Sequence, residues 1–229
     1  VVGFSGGPDS VALVTWLLAC GHPRLVLAHL DHGLREESAR DAQWVRQFAK
    51  DRGLAVQTER VDVQQRAHAL GVGIEEAGRA ARYALYANVA REQNMTHVAL
   101  GHQADDQVET LLFRLLRGSG SRGLGAMAPH GTREAEGFSY SVVRPLLKVW
   151  RREILDFLKA ENIPFLQDSS NTDPRYARNR IRHLLLPEME KALGRPVQES
   201  LWRTAEVLRV EDEFLSSIEG GAVGDERLL

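Results

Sequence analysis

The chain has 229 residues, 43% of them hydrophobic and 26% charged, with 20 Gly, 8 Pro and a single Cys; this suits a globular domain of roughly 100–200 residues plus a smaller appendage and excludes disordered and collagen-like chains. Its 29 basic and 31 acidic residues leave a formal net charge of −2, so any nucleic-acid contact has to come from local basic patches. One cysteine excludes an intrachain disulfide, a CxxC redox pair and a cysteine-held zinc or iron–sulfur site made by this chain alone, and no apolar run approaches the ~20 residues of a membrane span, which predicts a cytoplasmic protein with no membrane partner.

Val1-Val2-Gly3-Phe4 reads as a strand already under way, so the natural N-terminus is expected upstream, and a continuation beyond Leu229 is left open. Ser5-Gly6-Gly7-Pro8-Asp9-Ser10 follows, then an apolar helical run through Leu18 that ends at Gly21 and Pro23. Cys20, at the end of that apolar helix, is expected to be buried. Residues 25–30 predict a second, buried strand, and residues 37–52 an amphipathic helix with Ala42, Val45, Phe48 and Ala49 on one face. A strand over 55–61, a helix over 75–93, a strand over 96–100 and a helix over 105–116 come next. Ser119 to Gly123 reads as a mobile glycine loop, and a fifth strand, 141–143, precedes a helix over 149–161. This alternation predicts an α/β fold, a Rossmann-like doubly wound parallel sheet that binds ligands at the carboxyl ends of its strands. Beyond Pro164 a polar turn cluster, residues 168–174, leads into helical sequence, so the division is set at 1–168 for a nucleotide-binding domain and 169–229 for a small helical appendage.

A glycine loop between strand and helix forms an anion site from backbone N–H groups and a helix N-terminus. This loop lacks the lysine of GxxxxGK[ST] and the spacing of GxGxxG, and it carries Asp9 instead. A carboxylate beside a polyphosphate is repulsive unless a cation intervenes, which suggests Mg²⁺; the alternative is that Asp9 and Ser10 only cap the helix. Asp105, Asp106 and Glu109 open a helix, with Asp106 and Glu109 on one face at i, i+3; they could equally serve the helix dipole. Arg82 is suited to grip phosphate bidentately, or to pair with Glu75 or Glu76 at the surface. His102 is either a nucleotide contact or a packed strand-end histidine. His29, Asp31 and His32 sit on a strand that sends alternate side chains to opposite faces, which argues against joint metal ligation and leaves a place near nucleotide or RNA. Arg175, Arg178, Arg180 and Arg182 crowd basic charge at the start of the appendage, as an RNA-phosphate stripe or as a solvated face paired with Glu188 and Glu190.

The loop Ser5 to Ser10 matches the SGGxDS signature of the PP-loop ATP pyrophosphatases, and within that superfamily the chain resembles the tRNA(Ile)-lysidine synthetase family. Four segments in the family's order carry the likeness: His29 to Arg35, Glu75 to Tyr83, Gly101 to Thr110, and Arg178 to His183. The resemblance implies an ATP-dependent ligase that adenylates the wobble cytidine of the CAU-anticodon isoleucine tRNA and lets free L-lysine displace AMP, with Mg²⁺ as the metal. It implies ATP contacts from Ser5, Gly6, Gly7, Pro8, Asp9, Ser10, His29 and His102, a metal held by Asp9 and Asp106, and catalytic roles for Asp9, Arg82, Asp106 and Glu109. Glu109 would bind the lysine, and the arginines from 175 to 182 would contact tRNA. A lysine amine of pKa near 10.4 is only about 0.04% neutral at pH 7, so neighbouring carboxylates would both select the ammonium and accept its proton. A homodimer is left open.

Overall fold

One sheet of six strands runs in the order β3-β2-β1-β4-β6-β5 in the computed structural model, which describes residues 1–22, 24–33, 38–167 and 177–225. Strands β1 (Val2–Gly3), β2 (Val26–Asp31), β3 (Ala55–Arg60), β4 (His97–Ala99) and β6 (Phe138–Val143) are parallel, and β5 (His130–Ala135) is antiparallel to β6. Helices cover both faces. On one, α1 (Pro8–Ala19), α2 (Ser38–Asp51) and α7 (Arg151–Ala160) bury Leu13, Val14, Val45, Phe48, Ile154 and Leu158 against Val2, Phe4 and Leu27. On the other, α4 (Ile74–Glu92) buries Ala81, Leu85 and Val89 against Val26, Ala28, Val98 and Val142. Leu27 thus goes to one core while Val26 and Ala28 go to the other, the period-2 alternation of a strand buried on both faces. The doubly wound architecture agrees with the sequence expectation.

The chain forms two compact units: residues 1–102 with 129–167, which hold the sheet, and residues 103–128 with 168–229. The second contains α5 (Ala104–Leu115), α6 (Ser121–Leu124), α8 (Ala177–Arg180), a π turn (Ile181–Leu185), α9 (Leu186–Leu193) and α10 (Gln198–Asp225). Residues 103–128 therefore group with the C-terminal helices, although in sequence they lie inside the nucleotide-binding segment.

Two expectations are corrected, and two elements were not foreseen. Cys20 is exposed, because it follows the last turn of α1 and acts as its C-cap. Ser119 to Gly123 is not all loop: Arg114 Nη1 donates to Gly123 O at 2.8 Å and Ala126 O at 2.7 Å, and these bonds hold a helical turn at α6. β5 was missed because His130 to Glu134 are exposed edge residues without apolar alternation; its register is set by a two-residue turn, Glu136 (φ 51°) and Gly137 (φ 66°), both in the left-handed region as a type I′ hairpin requires. α3 (Val63–Leu70) was also unforeseen, and its N-cap Asp62 accepts from Gln64 N and Gln65 N at 3.1 and 3.0 Å. The polar cluster at 168–174 lies outside the described residues. No described helix is long and apolar enough to cross a membrane.

Candidate active site

In the first unit, the strand order reverses between the parallel neighbours β1 and β4, and the loops after these two strands, Ser5 to Ser10 and Gly101-His102, occupy the switch point where such sheets bind ligands. The first loop is held by its own serines. Ser10 Oγ donates to Gly7 O at 3.0 Å, Gly7 N donates to Ser5 Oγ at 3.2 Å, and the two hydroxyls lie 3.3 Å apart. Gly6 has φ +83°, and a Cβ there would stand 2.7 Å from Leu166 Cδ1, while Leu166 N donates to Gly6 O at 2.8 Å. The N-cap of α1 is Gly7, which offers no side-chain cap, and Pro8 fills the first helical position, where no N–H is needed. Asp9 and Ser10 thus do not cap the helix, and the opening turn remains an anion site. Gly101 packs against this turn so closely that a Cβ would lie 3.0 Å from Asp9 C and O. Asp9 Oδ2 is 3.2 Å from Arg151 Nη1 at the start of α7.

His29 is buried and its Nδ1 lies 2.9 Å from Phe4 O. Burial is the largest influence on the ring and lowers its pKa, so the neutral tautomer that donates from Nδ1 fits. Asp31 Oδ1 accepts from Gly33 N at 2.8 Å, and Oδ2 is 3.7 Å from Arg60 Nε. His29 and Asp31 therefore brace the carboxyl end of β2, and among the described residues no three His, Cys, Asp or Glu side chains form a metal-binding group. Arg82 is exposed on α4 and forms no ion pair among the described residues, so the surface pair with Glu75 or Glu76 is not found. His102 is half-buried.

In the second unit, Gln103 caps α5: its Oε1 accepts from Asp105 N at 2.6 Å, and Asp106 Oδ2 accepts from Gln103 N at 3.1 Å. One turn on, Glu109 is 2% exposed, and its Oε1 is 2.6 Å from Arg182 Nε. Arg182 Nη2 also stands 3.7 Å from Asp106 Oδ1. The shared face expected for Asp106 and Glu109 is therefore real, and a guanidinium lies on it. Burial pushes the Glu109 carboxyl up to about 7, against the opposing pull of Arg182, and also raises Asp106. Arg182 reaches these acids from the π turn just before Pro187; proline lacks the N–H and crowds the preceding turn of a helix, and a widened turn there relieves both. Of the basic stripe, Arg182 is engaged by the α5 acids, Arg178 is half-buried with its charge felt by both, and Arg180 is exposed; Arg175 lies outside the described residues. Glu188 faces Lys191 at 3.8 Å, and Glu190 accepts from Val197 N at 3.3 Å. The sequence reading missed the Arg151–Asp9 pair, the packing of Gly101 on the opening turn of α1 and the Arg182–Glu109 contact, although Gly101 and Arg182 each lie in a segment that carries the family likeness.

A family model described as the PP-loop domain matches residues 1–189. The chain belongs to the PP-loop family. It is 44% identical to the tRNA(Ile)-lysidine synthase of Geobacter sulfurreducens over 95% of this chain and 45% of that protein, and 41% identical to the tRNA(Ile)-lysidine synthase of Solibacter usitatus over 93% of this chain and 46% of that protein. The chain thus spans about half the length of these relatives. Among solved structures it shares the fold of the U34-tRNA thiolase NcsA from Methanococcus maripaludis, with a TM-score of 0.68 and 16% identity over 91% of this chain and 71% of that one. The SGGxDS turn, Ser5 to Ser10, lies within the matched segment.

Proposed function

We propose that this chain is the ATP-using, lysine-binding part of an enzyme that ligates lysine to carbon 2 of the wobble cytidine in the CAU-anticodon isoleucine tRNA. PP-loop membership and the likeness to two tRNA(Ile)-lysidine synthases support the reading. The observation that carries it is the almost fully buried Glu109 engaged by a cationic side chain: a carboxylate is kept out of water where it grips a basic group, as the substrate ammonium requires.

In the reaction, the cytidine 2-oxygen attacks the α-phosphorus of ATP on the Ser5 to Ser10 turn, the bond to the β-phosphate breaks, and pyrophosphate leaves. Arg82 supplies positive charge to the phosphate as it changes. The lysine side-chain amine then attacks carbon 2, the carbon–oxygen bond to AMP breaks, and AMP leaves. The proton lost by the ammonium goes to Glu109, whose raised pKa makes it a better acceptor than an ordinary carboxylate. His29 and His102 flank the nucleotide turn, and Arg175, Arg178 and Arg180 contact tRNA phosphates, with Arg182 shared between the acids and the RNA.

Asp9 and Asp106 offer carboxylate oxygens, the donors a hard cation prefers. Mg²⁺ is such a cation, taking one or two carboxylates and filling its sphere with water and phosphate oxygens. Such an ion would neutralise polyphosphate charge when bound. The test is mass spectrometry of a CAU-anticodon isoleucine tRNA transcript after incubation with ATP and isotopic lysine. The expected result is an adduct of one lysine less one water, with sustained multiple-turnover release of AMP only when all three substrates are present. Steady turnover of ATP to AMP that ignores lysine, with no lysine adduct on the tRNA, would overturn the proposal.

A further inference from the structure

Away from the nucleotide turn, three guanidiniums converge on one tyrosine. Tyr83 is half-buried on α4, its ring edge-on to Tyr86 at 6.0 Å and its carbonyl accepting from Tyr140 Oη at 3.1 Å. Arg79, one turn earlier, donates from Nη2 to Tyr83 Oη at 3.3 Å and carries its Cζ 5.1 Å from the ring centroid. Arg133 on β5 stands 5.2 Å from the same centroid. Arg144, just past the carboxyl end of β6 and buried, also hydrogen-bonds with Tyr83.

The arrangement costs the fold something. Arg144 loses hydration on burial and is further disfavoured by the charges of Arg133 and Arg79. Arg79 and Arg133 are exposed, and neither forms an ion pair among the described residues. Stacking on a ring fixes a guanidinium's plane while leaving its N–H fork open to an anion. Two exposed guanidiniums held against one ring, with buried Arg144 hydrogen-bonded to the same tyrosine, form a concentrated positive patch that suits an anion.

We propose that Arg79 and Arg133, organised by Tyr83 with Arg144 buried behind them as added positive charge, form a docking platform for the phosphate backbone of the RNA substrate. The proposal rests on the reading that the substrate is an RNA. RNA is favoured over ATP because of where the platform lies. β6 and β5 are two and three strands from β1 in the sheet, which at ~4.8 Å per strand puts these residues on the order of 10–15 Å from the nucleotide turn. Arg144 nevertheless shares the carboxyl edge of the parallel strands with that turn, and Arg79 is three residues from Arg82, so RNA held here would lie along the reacting edge of the same unit.

The experiment measures binding of the full chain to a tRNA transcript between 50 and 300 mM salt, for the wild type, Arg79→Gln, Arg133→Gln and the double variant. Each substitution is expected to weaken binding several-fold and to reduce the slope of log affinity against log salt by about 0.7–0.9, while ATP affinity measured without RNA stays the same. Tyr83→Phe, which keeps the ring, should lose less than either arginine variant. Unchanged slopes in variants of a wild type that binds would overturn the platform and leave the RNA reading intact. ATP affinity falling with RNA affinity unchanged would assign the cluster to the nucleotide and overturn the proposal. A wild type with no salt-dependent RNA affinity would overturn the RNA reading itself, and the platform with it.

Discussion

Glu109 is the residue at which burial and chemistry meet. Its carboxyl is raised to about 7 chiefly by loss of water, so the folded value lies above the ordinary 4.5. A group raised in this way favours the fold when protonated. Its cost to stability is absent below about pH 4.5, grows through the interval to about pH 7 and is constant above it. Glu109→Gln should therefore lose less stability than the wild type between pH 5 and pH 7.5, read as denaturant midpoints at the two pH values; equal losses would mean that the carboxyl titrates normally. For activity the sign is reversed, because only the ionised form holds an ammonium. The wild-type kcat/KM for lysine should fall about tenfold per pH unit well below pH 7, and Glu109→Gln should lower it by about 10–150-fold at pH 7.5, the value of one charge-assisted hydrogen bond. Asp106 and Glu109 were legible as a pair from their spacing alone. Arg182 as their partner was not, since 73 residues separate it from Glu109.

Legibility of elements followed burial. β2 and β4 and the long helices were found within a few residues because each presents a periodic apolar face to a core. β5 carries few apolar residues and α3 is only eight residues long, and they are fixed by a turn and a cap, signals only two or three residues long. The segment around α6 shows how a few bonds change an element's character. Glycines at 118, 120, 123 and 125 suggest looseness, yet Arg114 ties two carbonyls of the segment from within its own unit. Arg114→Ala would leave both part-buried carbonyls without their charged donor; Gly123 O keeps the bond from Ala126 N at 3.2 Å, so the loss falls chiefly on Ala126 O, at about 1–3 kcal/mol. Limited trypsin digestion should then cut after Arg122 at least tenfold faster than in the wild type. Equal rates would mean that the segment opens without breaking those bonds, as the loop reading expects.

Across the sheet-bearing unit, a single layer of strands separates two cores, and the two share no buried residue. Val14 is wholly buried in one and Val89 in the other. Because the strands between them are hydrogen-bonded and close-packed, a cavity on one face cannot be refilled by side chains from the other. Val14→Ala and Val89→Ala should each cost about 2 kcal/mol, as removal of buried methyl groups without full collapse does. Their double-mutant cycle should close to within about 0.5 kcal/mol, as expected of sites with no shared partner. The fold class was readable because this two-sided burial is written into the sequence as apolar strands alternating with amphipathic helices. A coupling above 1 kcal/mol in the cycle would mean that the sheet transmits strain between its faces. In that case Val14, four residues from Ser10 on α1, and Val89, on the helix that carries Arg82, would bear on each other through the strands, and the Ser5 to Ser10 turn and Arg82 would not be independently supported.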